Sequence, residues 1–287
     1  METLTVHPLH PLYVAEVHGL DLRQPIDAAL ATEIEAAMDE YGILVFRDQD
    51  LDEVQQMAFT RALGPVDMGL LKVLQQRSRF KQAGMIDISN VDLESQVLDR
   101  NDPRLVTMLA NQLWHSDSSF KKPSAKYSLL LACILPEQGG QTEFADMRAA
   151  YDALPDDKVA EIEGLVAEHS AFHSRIQLGD QQYTPEDLAK YPAVEWPVVR
   201  IHPGSQRKTL FIGAHVTHVL GWPVPEGRLL LSDLLERATQ RQFVYRHTWR
   251  PGDLVIWDNR AVLHRGRRYD LSQRRELRRS TVEDIRP

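Results

Sequence analysis

With a single cysteine, Cys133, among 287 residues, the chain can form no internal disulfide, so its stability must come from packing. That thiol lies in the apolar run YSLLLACILP, which predicts that it is buried, and a reducing compartment suits it. No run of about 18 apolar residues occurs, and METLTVHPLHPLYVAEV shows no basic segment leading into an apolar one. Both absences predict a cytoplasmic protein with no membrane partner. Positive charge is in deficit, with 33 Lys and Arg against 41 Asp and Glu, and the net charge of -8 argues against general affinity for nucleic acid or an anionic membrane. An anionic small molecule must therefore be caught by a few well-placed cations. Gly/Ser linkers and internal repeats are missing too. A chain of this length with 43% hydrophobic residues is read as one domain over 1–287 around one sizeable core.

Most of the patterned sequence reads as strand. Leu30, Ile34, Met38 and Tyr41 share one helical face behind a possible Asp27 cap, GILVFRDQ (42–49) reads as a buried strand, and 52–63 as a second helix stopping before Gly64-Pro65. Over 64–104 the signal is mixed. Further strands are expected at MIDISNV (85–91), KYSLLLACIL (126–135) and GQTEFADM (140–147), and a hairpin from WPVVRIHP to KTLFIGAH through GSQR. Short helices fit between Asp146 and Val166, a polar stretch over 174–192 breaks the regularity, and a leucine-rich helix covers 226–241. FVYRHTW, DLVIWDN, AVLHRGR and ELRRSTV close the chain as strands. The expected class is mainly β with flanking helices, most naturally a jelly roll or related double sheet.

Within NQLWHSDSSF, His115 and Asp117 stand two residues apart, a spacing that on a strand sends both side chains to one face. Imidazole plus carboxylate suits a divalent metal of intermediate softness, and two histidines with one carboxylate is the ligand set of non-heme Fe(II) oxygenases. A lone pair of this kind carries little weight. His264, in the apolar segment AVLHRGR, can supply the second imidazole, and Arg275 eleven residues later can fork onto the distal carboxylate of a 2-oxoacid that chelates the metal. Thr142 can add a hydroxyl hydrogen bond to that carboxylate. His215 and His218 lack a third ligand and are read, with His169, His173, His202 and His247, as structural or pocket residues.

The segments LVFRDQ, NQLWHSDSSF, GGQTEFADMRAAYDALP, RKTLFIGAH, FVYRH, GDLVIWDNRAVLHRGRRYD and RRELRRST together resemble the Fe(II)/2-oxoglutarate-dependent dioxygenases of the taurine dioxygenase family. The similarity runs over almost the whole chain and is strongest toward members that oxidise aryloxyacetates such as 2,4-dichlorophenoxyacetate. It implies a double-stranded β-helix, with His115, Asp117 and His264 as iron ligands and Thr142, 27 residues after His115, with Arg275 on 2-oxoglutarate; O2 is the co-reactant. It further implies Trp257 near iron and cosubstrate, and Arg279, Asn111 and Lys72 toward an anionic primary substrate. Relatives commonly form homo-oligomers. The implied reaction is hydroxylation beside the ether oxygen, yielding a phenol and glyoxylate with succinate and CO2. A sulfonate of the taurine type or a 2-aryloxypropionate would suit the same arginine, and a non-catalytic small-molecule sensor is the non-enzymatic alternative.

Overall fold

The computed structural model describes residues 4–68, 78–180 and 183–285. Along the chain the strands are β1 (Thr5–Pro8), β2 (Ala15–His18), β3 (Ile43–Phe46), β4 (Ile86–Ser89), β5 (Ala125–Ile134), β6 (Thr142–Asp146), β7 (Val166–His169), β8 (Val194–Pro197), β9 (Val199–Ile201), β10 (Lys208–Leu210), β11 (Val216–Val219), β12 (Val244–His247), β13 (Leu254–Asp258), β14 (Val262–Gly266) and β15 (Glu276–Glu283). The helices are α1 (Ala28–Tyr41), α2 (Glu53–Ala62), α3 (Pro103–Met108), α4 (Met147–Asp152), α5 (Asp156–Ile162), α6 (His173–Gln177), α7 (Pro185–Lys190) and α8 (Val224–Ala238). Among them no helix is long and apolar enough to cross a membrane.

Two facing sheets form the jelly roll. The larger has the order β1-β2-β3-β13-β5-β15-β4, and the smaller the order β12-β6-β14. Strand alternation explains why both faces of the larger sheet are apolar: Leu254 and Ile256 of β13 point outward to Ile34, Met38 and Phe59 of α1 and α2, while Val255 and Trp257 point inward to Phe144 and Val262 of the smaller sheet. A third cluster covers the back of the smaller sheet, where Ala145 and Leu263 meet Ala150, Leu230 and Leu234 from α4 and α8.

Local signals set the helix ends. Asp27 accepts from the Leu30 N–H at 2.8 Å, and α1 stops at Gly42, whose φ of 69° favours a residue without Cβ. Asp52 and Gln55 close a reciprocal capping box on α2. The strand expected over 42–49 is confined to β3, since beyond Phe46 the chain turns through Asp48 at φ 55°. The polar stretch 174–192 holds two short helices, α6 and α7, and β9 and β10 form the expected hairpin. Cys133 is exposed rather than buried, because β5 outruns the core and both Cys133 and Ile134 reach the surface.

His169 on β7 is buried, stacks on Phe211 with ring centroids 5.1 Å apart, and has no hydrogen-bond partner for either nitrogen among the described residues. Burial, helped by Arg200, pulls its pKa down to about 3. An unfolded histidine titrates near 6.5, so between about pH 6.5 and 3 the unfolded chain binds a proton that the folded chain refuses, and stability falls as pH drops. Replacing His169 with Phe is expected to lessen that slope by at most one proton, about 1.4 kcal/mol per pH unit. Urea midpoints of both proteins from pH 7 to 5 measure it, and parallel curves would refute it.

Candidate active site

His115 and His264 meet across a one-residue antiparallel bridge: His115 N–H donates to His264 O at 3.0 Å, and His264 N–H donates back at 2.9 Å. Their ring centroids lie 4.1 Å apart. His264 occupies the middle of β14, in register with Phe144 of β6. Asp117 lies in a turn, so the strand expected through both residues shrinks to that single bridge. Side chains aim the carboxylate instead. The Ser128 hydroxyl donates to Asp117 Oδ2 (2.7 Å), the Asp117 N–H donates to Asn259 Oδ1 (3.0 Å), and Asn259 Nδ2 donates to Ser128 Oγ (3.0 Å). Trp257 Nε1 also donates to Asn259 Oδ1 at 3.1 Å, and its ring sits 4.6 Å from that of His264. Asn259 and Ser128 were not singled out from sequence; their only signal is adjacency to Trp257 and to the apolar strand β5.

The ligand atoms of His115, Asp117 and His264 all lie within 4.8 Å of one another, and all three residues are buried. His115 Nδ1 meets Leu113 O at 2.8 Å, which puts its proton on Nδ1 and leaves the Nε2 lone pair for an ion. Burial holds both imidazoles below their ordinary pKa, keeping them neutral. Burial alone would raise Asp117, but the Arg279 guanidinium above all, with the Ser128 hydrogen bond, outweighs it and holds the carboxyl well below the usual range. Two neutral nitrogens and one anionic oxygen fit a ferrous ion.

Two cavities flank this cluster. The smaller, about 100 Å³, is lined by Thr142, Trp257, His264, Arg275 and Asn111. The larger, about 580 Å³, is lined by Asn111, His115, Asp117, Phe120, Phe172 and Arg279, among others. Arg275 immediately precedes β15, which lies between β5 and β4, so neither Arg275 nor Arg279 belongs to a solvated edge. The Arg275 side chain is buried: Nη2 donates to Gly140 O at 3.1 Å, the guanidinium lies 5.3 Å from the Tyr269 ring, and Nε has no partner among the described residues. Gly140, at φ 68°, permits this approach, for a Cβ there would stand 3.0 Å from Arg275 Nε. Thr142 Oγ1 accepts from Trp249 Nε1 at 3.1 Å and keeps its own proton to donate. Arg279 contacts Asp117 and borders both cavities. Lys72 lies outside the described residues.

The remaining histidines divide as follows. His215 walls the larger cavity, 4.9 Å from the Phe120 ring, whereas His218 stands 3.7 Å from Glu168 and forms no site with it. His202 accepts from the Ser205 N–H (3.0 Å) and faces Asp258 (3.0 Å), which Arg260 also grips, so this cluster with nearby Asp39 is matched internally. His247 faces Asp253 at 3.0 Å, and His173 faces Gln177 at 2.8 Å.

Two imidazoles and a carboxylate inside a jelly roll, beside a cavity holding a buried arginine, match the ligand set of the non-heme iron oxygenases. The chain belongs to the TauD/TfdA family: residues 5–281 match the family model described as "Taurine catabolism dioxygenase TauD, TfdA family". It is 57% identical over 282 residues, 98% of each chain, to the alpha-ketoglutarate-dependent 2,4-dichlorophenoxyacetate dioxygenase of Cupriavidus pinatubonensis. It is 38% identical to the (S)-phenoxypropionate/alpha-ketoglutarate-dioxygenase of Sphingobium herbicidovorans, covering 96% of this chain and 94% of the relative. The crystal structure of AAD-2 in complex with Mn(II) and N-oxalylglycine superposes with TM-score 0.92 at 46% identity, covering 99% of this chain and 98% of that one. The protein is therefore an Fe(II)- and 2-oxoglutarate-dependent dioxygenase that consumes O2.

Proposed function

We propose that the enzyme hydroxylates an aryloxyacetate such as 2,4-dichlorophenoxyacetate beside its ether oxygen. The hemiacetal product collapses to a phenol and glyoxylate. The observation that carries this reading is the larger cavity, which offers Phe120 and Phe172 to an aromatic ring and Arg279 to a carboxylate while abutting His115 and Asp117. The substrate named for the 57% identical relative agrees with it.

On this reading His115, Asp117 and His264 hold the iron. Arg275 and Thr142 hold the distal carboxylate of 2-oxoglutarate, with Trp257 walling that cavity. Bound there, Fe(II) with 2-oxoglutarate and dioxygen supplies C–H hydroxylation, in which the cosubstrate leaves as succinate and CO2. The protein's own part is positional. Arg279 anchors the substrate acid, Asn111 borders both cavities, and the buried walls exclude water and competing C–H bonds. Ser128, itself held by Asn259 Nδ2, keeps the Asp117 carboxylate from rotating, while Asn259 Oδ1 fixes the Asp117 N–H. A cytoplasmic setting is consistent with a lone unpaired cysteine.

The test loads the protein anaerobically with Fe(II) and 2-oxoglutarate, admits air, and follows succinate and phenol for 2,4-dichlorophenoxyacetate, a 2-aryloxypropionate and taurine. Phenol in step with succinate is expected for the aryloxyacetate, at the highest kcat/KM of the three. Preference for either other compound would replace this substrate assignment.

A further inference from the structure

Four arginines line the larger cavity among the described residues, and three are already matched by carboxylates. Arg79 donates to Asp87 and Glu276, Arg104 to Asp102, and Arg279 contacts Asp117. Arg175 is the fourth. Its Nη1 donates to Ala171 O at 2.9 Å, and no carboxylate stands within ion-pair distance of it among the described residues. Burial lowers its pKa; Asp180 and Tyr183 lie near enough to oppose that shift without reversing it. A guanidinium withdrawn from water without a counterion is costly, and an anionic ligand entering the cavity would offset that cost.

The fold puts this charge at the metal end. Arg175 lies on α6, just beyond β7, and β7 pairs with β11 next to His215; the Ser170 N–H donates to His215 O at 2.8 Å. Arg175 lines the same cavity as His115, Asp117 and His215. Arg279 already shares its guanidinium with Asp117, so it alone leaves a substrate anion incompletely matched.

We propose that Arg175 is a second guanidinium for the carboxylate of the primary substrate, and that with Arg279 it makes the cavity selective for acids over neutral analogues. The proposal rests on the aryloxyacetate reading above. The enzyme loaded with Fe(II) and 2-oxoglutarate is compared as wild type, Arg175→Gln and Arg175→Lys on 2,4-dichlorophenoxyacetate and on its neutral amide; where the amide is not turned over, its inhibition constant is used. Arg175→Gln is expected to raise KM for the acid by roughly 10- to 100-fold, the usual weight of a charge-assisted hydrogen bond, with the KM for 2-oxoglutarate within about twofold of wild type. Affinity for the amide should be the same in both proteins. Arg175→Lys keeps the charge but loses the fork, so its acid KM should rise by only about 3- to 10-fold. An unchanged acid KM, or equal losses on acid and amide, overturns the proposal. Should Arg175→Gln fail to fold by circular dichroism, the acid-to-amide ratio of Arg175→Lys decides, and a wild-type ratio overturns the proposal. Absence of phenol from the wild type overturns the substrate reading and this inference together, whereas active wild type with indifferent variants overturns the inference alone.

Discussion

Exchanging His264 for alanine is expected to lower succinate formation by more than about a thousandfold and to abolish tight binding of a divalent metal. Loss of a mere outer partner of a metal ligand costs roughly 10- to 100-fold, and on the proposed reading one of three ligands disappears. His115 and Asp117 would remain, but they cannot hold the ion facially without the second imidazole. Because the His264 ring packs against Trp257 and near Phe144, alanine would also leave a void, so His264→Gln, closer in volume, is the partner variant. Mn(II) titration followed by paramagnetic resonance, with succinate as the activity readout and circular dichroism as the folding check, measures both effects. Wild-type metal affinity in a folded His264→Gln protein would remove this residue from the centre.

Arg275→Gln is expected to raise KM for 2-oxoglutarate by about a hundredfold or more, since on the proposed reading a bidentate charged contact to the distal carboxylate is lost. The same change should not destabilise the protein without ligand. Arg275 is buried with no carboxylate at ion-pair distance among the described residues, so a neutral side chain relieves a desolvation cost rather than breaking a pair. Opposite signs in the two measurements separate a binding role from a structural one. N-oxalylglycine, which occupies the AAD-2 crystal structure, should lose affinity in parallel. A Tm that drops along with an unchanged KM would mean that Arg275 serves packing instead.

Much of the framework was legible because it rests on local chemistry. Asp27 caps α1 through its own neighbour's N–H, and β13 declares itself as an apolar run buried on both faces. The family resemblance pointed His115, Asp117, His264, Thr142 and Arg275 toward a metal and an anion, and the fold brings these five around adjoining cavities. The local conformation was less legible. His115 and Asp117 share a direction without sharing a strand, since Ser128 orients the carboxylate and Asn259, distant in sequence, holds both Ser128 and the Asp117 N–H. Cys133 looked buried because an apolar run does not say where a strand leaves its sheet.

By itself the sequence determined the donor types, their order and the class of chemistry, because ligand softness and charge belong to side chains whatever their surroundings. Only the tertiary structure decided which arginine would be spent on an acid and which left free. Arg279 finds Asp117 across 162 residues, and Arg175 finds no carboxylate partner among the described residues. Ion pairing and burial depend on distances in space, and spacing along the chain carries no record of them.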